Sequence, residues 1–351
     1  MHMTQPIVHS TGPASMERRD WLNQSLALAS ACLLPGLSAC DSPSESLDKL
    51  TIAHAYQASF GLLYVAEKAG FIKAEGLEVQ FKRYSFGRET LLATLDGEAD
   101  IATPFDTPVA LAILQNAPVR VLSSLSVLLG NAQVLANKQR GIRTPADLKG
   151  RRIGYIPNTS GEYILSMVLA NAGIDEQQVN LLPLKSPDEL SQALVRGDVD
   201  AAALWAPFTH TIATELGAKA LEGFTSPTYV ETALLTTTEN TLRKKTRAIK
   251  KLMTALIKAQ NLVLRDPASA VQYIQSALPE IPAPVIARSW ASLQPQVRLD
   301  NQLVASLGNQ ILWFRKKQHQ TQDASVNVRS RMADEILRAV QPQAVTLKHE
   351  Q

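Results

Sequence analysis

The sequence predicts an α/β protein made of two related lobes that are joined by two hinge crossover strands. A unit consisting of a helix, a Gly-x-x-Asp turn and a strand of small residues occurs at residues 97–100 and again, at a constant offset, at 197–200. A small-residue strand of this kind packs between helices, as in an α/β sheet. Two apolar extended runs, 133–137 and 231–236, have the positions of crossover strands. A chain of 351 residues is long enough for about two such lobes.

These observations predict the limits of the domains. In chain order we expect a signal peptide at 1–39, a tether at 40–49, lobe 1 at 50–136 plus 231–340, lobe 2 at 137–230 and a tail at 341–351.

The remaining elements follow from hydrophobic periodicity and from Gly and Pro punctuation. We expect strands at 50–55, 77–81, 101–103, 151–156 and 201–204, and helices at 62–69, 87–95, 162–172, 188–195, 239–265, 268–278, 283–293 and 301–317.

The N-terminal segment has the pattern of an export signal. Residues 24–39 are apolar, follow Arg18 and Arg19, and are too short for a comfortable membrane span. They end in Leu-Ser-Ala-Cys, which resembles a bacterial lipobox and predicts lipidation of Cys40; the two arginines also resemble a twin-arginine signal. An uncleaved anchor is the alternative. With Cys32 removed by cleavage, neither a disulfide nor a cysteine metal site is expected.

Charge excludes one class of partner. A net charge of +3 is too small to indicate nucleic-acid binding, and no basic patch with interleaved aromatic residues occurs. The basic run at 243–251 fits the solvated face of a helix.

Polar and aromatic loops follow the predicted strands, and ligands of α/β sheets bind outside the carboxyl ends of strands. We therefore expect a ligand-binding site between the lobes. Its candidate residues are His54, Tyr56, Gln57, Ser59, Thr103, Phe105, Asp106 and Thr107 in the first lobe, and Asn158, Thr159, Ser160, Gly161, Trp205 and Phe208 in the second.

The loop before the helix at 162 predicts an anion site, because the first turn of a helix presents unpaired N–H groups. Thr159, Ser160 and the amides of Gly161 and Glu162 would hold an anionic head without a formal positive charge, since the four predicted site loops contain no Arg or Lys. Plain helix capping is the alternative.

Other candidates have two interpretations. Tyr56, Phe105 and Trp205 fit the walls of a binding pocket, or the core. His54 could carry a charge or play a neutral, structural role. Asp106 suits the amine of a zwitterionic ligand, or a helix cap.

Six segments carry a family resemblance that extends over about residues 50–340. They are GLLYVAEKAGF at 61–71, EGLEV at 75–79, GEADIA at 97–102, DLKGRRIG at 147–154, Ser-Gly at 160–161 and DAAALWAP at 200–207. In order and spacing they resemble the substrate-binding proteins of bacterial ABC importers of the nitrate, sulfonate and taurine type, which share a fold with thiamine-pyrimidine precursor binders.

The resemblance implies a type II periplasmic-binding-protein (Venus-flytrap) fold that closes on a small solute. It implies a monomer on the periplasmic side of the cell membrane, lipid-anchored, that delivers its solute to the permease and ATPase subunits of an importer. Sulfonate, taurine, nitrate, a pyrimidine and an aromatic carboxylate all remain open as solutes.

We expect no enzyme activity, cofactor or metal. The chain has no GxSxG, GxxxxGK[ST], HExxH or CxxC motif. A pyrimidine-precursor binder, a biosynthetic enzyme of the same fold and a ligand sensor are the alternatives.

Overall fold

The computed structural model describes residues 47–217, 220–319 and 326–348. The predicted signal peptide, the lipidation of Cys40 and residues 40–46 of the tether lie outside this part of the chain. No helix within it is both long enough and apolar enough to cross a bilayer.

The strands alternate with helices along most of the chain. They are β1 (Asp48–Ala55), β2 (Leu77–Tyr84), β3 (Ile101–Ala102), β4 (Val119–Leu129), β5 (Gln133–Asn137), β6 (Arg152–Tyr155), β7 (Asn180–Pro183), β8 (Ala201–Leu204), β9 (Leu221–Phe224), β10 (Val230–Thr238) and β11 (Leu293–Pro295).

The α-helices are α1 (Gly61–Lys68), α2 (Phe71–Ala74), α3 (Gly87–Leu95), α4 (Asp106–Leu114), α5 (Ser160–Asn171), α6 (Pro187–Arg196), α7 (Phe208–Leu216), α8 (Glu239–Lys244), α9 (Thr246–Arg265), α10 (Pro267–Ala277), α11 (Ala283–Ala291), α12 (Asn301–Lys317) and α13 (Asp334–Val340).

Two mixed β-sheets organise these elements, and each sheet with its helices is called a lobe below. The first lobe has six strands in the order β11-β4-β10-β3-β1-β2, and the second has five in the order β7-β6-β8-β5-β9. In each sheet the strands before the helix N-termini run parallel: β1 with β2 and β3, and β6 with β7 and β8. The carboxyl ends of these strands therefore lie together at one edge of each sheet.

The chain passes between the sheets twice. It leaves the first sheet at the end of β4, crosses at residues 130–132 and enters the second sheet at β5; it returns at residues 225–229, between β9 and β10. The runs predicted as crossover strands therefore begin at or just after these crossings and pair within the sheets. The exact limits of the two lobes stay a prediction.

The longest helix shows why the first lobe is stable. Along α9, Ile249, Leu252, Met253, Leu256 and Ala259 recur at helical spacing, and all five are fully buried. This is the apolar stripe that an amphipathic helix places against a core. Its basic residues, predicted to be solvated, lie largely on the outside; Arg247 and Lys251 pair there with Asp48.

The structure differs from the prediction at the C-terminus and within β4. A tail was expected from residue 341, but Val345 pairs with Leu299, and both Val345 and Leu347 are buried. The eleven-residue strand β4 was not predicted, because Ser123, Ser124 and Ser126 interrupt its apolar pattern. The helix expected at 239–265 is two helices, α8 and α9.

Candidate functional site

A small cavity lies between the two lobes. The first turns or N-terminal ends of α3, α4 and α5 all reach it. Its lining residues are Phe86, Gly87, Arg88, Phe105 and Pro108 from the first lobe, and Thr159, Ser160 and Trp205 from the second. The N-terminus of a helix carries a partial positive charge and unpaired N–H groups, so the cavity wall favours an anion.

The start of α3 sits close to the backbone of the neighbouring loop. A Cβ on Gly87 would lie 3.0 Å from Pro104 Cα and 3.1 Å from Phe105 N. Glycine therefore lets the first turn of α3 approach the end of β3, and this approach brings the next residue, Arg88, to the cavity.

Arg88 is partly buried and, within the part of the chain that the structure describes, has neither a hydrogen-bond nor an ion-pair partner. A guanidinium presents five N–H donors in a planar fork that suits carboxylate, sulfonate or phosphate oxygens. The sequence predicts an anion site without a formal positive charge, and the structure adds the Arg88 guanidinium to the lining of this cavity. Arg88 lies in the predicted helix at 87–95, outside the four predicted site loops.

The start of α5 packs directly onto the end of β8. A Cβ on Gly161 would lie 2.7 Å from the Ala203 carbonyl oxygen and 3.3 Å from Trp205 Cζ3. The Thr159 hydroxyl donates to the Ile156 carbonyl at 2.7 Å, and no side chain caps the helix. The amide end of α5 is thus left open toward the cavity.

Aromatic side chains form the apolar walls. The Trp205 ring centre lies 6.3 Å from that of Phe86 and 6.2 Å from that of Phe208. The Phe105 ring packs against Phe60, with ring centres 5.3 Å apart. The Trp205 indole N–H is buried and has no hydrogen-bond partner in the part of the chain that the structure describes, an arrangement that is rare unless a ligand or water satisfies the donor.

Three predicted site residues stabilise the first sheet instead of lining this cavity. His54 lies between Tyr64 and Phe81, with Nδ1 3.1 Å from the Tyr64 hydroxyl. Burial, with a contribution from Arg83, lowers the pKa of His54 to about 4, so the ring is neutral. Thr103 Oγ1 accepts from Ala55 N–H, and the Ser59 carbonyl accepts from Ser126.

Tyr56 and Phe208 line a wider opening between the lobes, together with Arg83 and Glu280. The Arg83 guanidinium lies 3.3 Å from the centre of the Tyr56 ring, and it pairs with Glu280 at 2.7 Å. Gln57 is buried, and both polar atoms of its side chain lack a partner.

Asp106 and Thr107 belong to a buried polar cluster rather than to the cavity wall. Asp106 accepts from the Tyr229 hydroxyl at 2.9 Å and from Gln310 Nε2 at 2.8 Å, and the Thr107 hydroxyl donates to Gln310 Oε1 at 2.5 Å. Burial raises the pKa of Asp106 to about 6, although these hydrogen bonds oppose the rise.

Asn158 lies in the loop before α5, and its backbone contacts the carboxylate of Glu162. It has a left-handed φ of 61°, and its N–H donates to Glu162 Oε2 at 2.7 Å. The other Glu162 oxygen forms an ion pair with Lys317. Glu162 therefore has partners on both oxygens.

Of the predicted residues, the structure brings Phe105, Thr159, Ser160 and Trp205 to the cavity wall, with Gly161 directly behind it. Sequence reasoning missed Phe86 and Arg88. Their signal was present, because a Phe-Gly-Arg sequence opens a helix directly after a strand.

Comparisons with known proteins agree with this architecture. A family model described as "NMT1/THI5 like" matches residues 57–270. The taurine-binding periplasmic protein of Escherichia coli (strain K12) is 31% identical over 164 residues, which cover 46% of this chain and 50% of that protein. The chain thus spans about half the length of this curated relative.

Solved structures share the fold. The alkanesulfonate-binding protein SsuA from Xanthomonas axonopodis pv. citri, bound to MOPS, has a TM-score of 0.67 at 20% identity and covers 81% of this chain and 98% of its own. The desulfurization enzyme DSZB has a TM-score of 0.60 at 17% identity, with coverages of 84% and 99%. The predicted two-lobe fold of the periplasmic binding proteins is confirmed, and the fold alone does not distinguish binding from catalysis.

Proposed function

The chain belongs to the NMT1/THI5-like family, and on that premise we propose that it captures a small organic anion, such as an alkanesulfonate, for an ABC importer. The observation that carries this proposal is Arg88, a cation without a partner in the described chain that lines a cavity between the two lobes. A guanidinium that no described carboxylate neutralises is available to form charge-assisted hydrogen bonds with an anionic ligand.

The cavity suits an anionic head group. Three helix N-termini and the Arg88 guanidinium reach the same space, and each favours negative charge. The buried indole N–H of Trp205 supplies a further donor, which no atom of the described residues accepts. The three oxygens of a sulfonate group can accept hydrogen bonds from several such donors.

The walls suit an apolar body attached to that head. Phe86, Phe105 and Trp205 line the cavity with Pro108, and such surfaces bind ligands by burying apolar area. Nitrate has no apolar part to use them.

The cavity offers little to a ligand amine. None of its described lining residues is acidic. Asp106 and Glu162 have protein partners elsewhere. An alkanesulfonate without an amine therefore fits the cavity better than taurine does.

The rest of the proposal concerns location and delivery. The lipobox-like segment supports a lipid anchor at Cys40 on the periplasmic face of the membrane. The solute would touch both lobes only when they are closed, so that binding shifts the open–closed equilibrium by its differential affinity. The closed form would then dock on the permease of the importer.

A thermal-shift screen of the full chain tests the ligand class. The panel is butanesulfonate, taurine, nitrate, benzoate and a formylaminopyrimidine. A ligand at about 100 times its Kd stabilises the folded state by about 2.7 kcal/mol. We expect butanesulfonate to raise Tm more than taurine does. A shift with the pyrimidine alone, or with no anion in the panel, would contradict the proposal.

A further inference from the structure

A buried carboxyl group, Glu231, lies where the two crossings between the lobes meet. Glu231 is only 1% exposed and stands near the start of β10. Its Oε2 accepts from Asn131 Nδ2 at 2.5 Å, and Asn131 belongs to the other crossing. Its Oε1 is buried and has no hydrogen-bond partner within ordinary distance and angle limits among the described residues. A buried carboxyl oxygen without a partner is uncommon and costly.

Ser160 connects this carboxyl group to the cavity. The residue lines the cavity at the start of α5, and its side chain lies beside both Glu231 and Tyr229. A serine hydroxyl has one proton, so it donates in only one direction at a time while its lone pairs face the other way.

The charge on Glu231 therefore determines whether Ser160 directs its O–H donor or its lone pairs toward the cavity. When Glu231 is ionised it is an acceptor only, and Oε1 draws the Ser160 O–H toward itself, which turns the lone pairs of Ser160 to the cavity. When Oε1 carries a proton, it donates to Ser160 Oγ, and the Ser160 O–H can then turn away from Glu231 and donate to an anion in competition with the Tyr229 oxygen. The proton comes from solvent, and no covalent bond of the ligand changes.

Burial raises the pKa of Glu231 to about 7, and the nearby Asp106 adds to the rise. Asp106 and Tyr229 are the titratable groups that face this region, and Tyr163 lies near Asp106. Both Asp106 oxygens face Tyr229, Gln310 and Ser306 instead of Ser160. Of these two carboxyl groups, Glu231 is therefore the one that contacts a cavity-lining side chain, Ser160.

We propose that Glu231, acting through Ser160, takes up one proton when an organic anion enters the cavity. This inference rests on the proposed function and makes Glu231 a positioning residue for the anion. Affinity then falls up to tenfold per pH unit above the pKa of free Glu231, and it levels off below that pKa.

The test is calorimetric titration of the full chain with butanesulfonate between about pH 6 and 9, in buffers of different ionisation enthalpy. We expect net proton uptake on binding at neutral pH in the wild type. In Glu231→Gln the amide donates permanently to Ser160, so binding persists while both the pH slope and the proton uptake disappear. Asp106→Asn is the matched control, and we expect it to keep both the pH slope and the proton uptake.

Ser160→Ala removes the relay and leaves Glu231 in place, which secures the test if Glu231→Gln does not fold. We expect this variant to bind weakly and without a pH slope. A wild-type slope in Glu231→Gln or Ser160→Ala, a slope that disappears with Asp106→Asn, or no proton uptake at all would overturn the inference while the binding function stands. If butanesulfonate fails to bind at every pH, the proposed function falls and this inference with it.

Discussion

Lys317 at the end of α12 forms an ion pair with Glu162 in the first turn of α5, and this pair joins the first lobe to the second. The Glu162 carboxylate is nearly buried, with a side-chain exposure of 6%, and the ammonium group also lies 5.5 Å from the centre of the Trp313 ring. Beside the pair, Tyr163 of α5 contacts Trp313 of α12, with ring centres 5.1 Å apart. The contact lies at the helix whose N-terminus lines the cavity.

Removal of this ion pair should favour the open form. In Lys317→Met, Glu162 loses its partner across the lobes, and we expect about a fivefold loss of butanesulfonate affinity, corresponding to about 1 kcal/mol for a partly exposed pair. Small-angle scattering should show a larger radius of gyration for ligand-free Lys317→Met than for the ligand-free wild type. Lys316→Met, one residue earlier and exposed, is the control; equal affinity and compactness in the two variants would refute a role in closure.

Gly161 should be intolerant of a side chain. A Cβ would lie 2.7 Å from a backbone oxygen that cannot rotate away, so Gly161→Ala should displace the start of α5 and cost about 2 kcal/mol in unfolding free energy. Gly308→Ala is the control, because its Cβ would enter open space within α12 and alanine favours the helix. Chemical denaturation measures both, and equal unfolding free energies for the two variants would show that the close approach is absent.

How far the sequence could predict the site depends on how local each signal is. Trp205 was predicted because it directly follows a strand of small residues, and Thr159 and Ser160 because they precede a helix; all three line the cavity. Asp106 was predicted to face a ligand, but its partner Gln310 lies 204 residues away. Only tertiary packing brings those two side chains together.

The fold also divides into features that local sequence predicts and features that depend on tertiary packing. The repeated helix-turn-strand unit correctly predicted β3 and β8, because a glycine stop and a small-residue strand are local features. The sequence did not indicate Arg88 as a site residue, because the cavity that it lines forms only where three helix N-termini from different parts of the chain meet. The signal peptide and the lipidation of Cys40 stay predictions.

The buried Glu231 should make stability depend on pH. Its pKa is raised from 4.5 to about 7, so the folded state binds more protons than the unfolded state in that interval. The unfolding free energy of the wild type should therefore fall, relative to Glu231→Gln, by about 3 kcal/mol between pH 4.5 and 7. His54, with its lowered pKa, acts in the opposite direction but equally in both proteins. Urea denaturation of both proteins across this interval measures the difference, and a constant difference would contradict an ionised buried Glu231 above pH 7.

The indole N–H of Trp205 should matter for binding more than for folding. Because it has no protein partner, Trp205→Phe leaves no protein acceptor unsatisfied, but a bound anion would lose one donor, and affinity should fall about tenfold. Trp290→Phe changes a tryptophan that is buried in the core of the first lobe, and it should lower Tm without changing Kd. Equal Kd values in the two variants would remove Trp205 from the site.

The most direct test of the anion site is calorimetric titration of butanesulfonate into the wild type, Arg88→Gln and Arg243→Gln, the last an exposed arginine on α8. A hydrogen bond to a charged group contributes about 1.5–3 kcal/mol, so Arg88→Gln should raise Kd by about 10- to 150-fold, while Arg243→Gln binds like the wild type. Wild-type affinity in Arg88→Gln would contradict the account, because the cavity between the lobes would then hold its ligand without the only cation among its described lining residues.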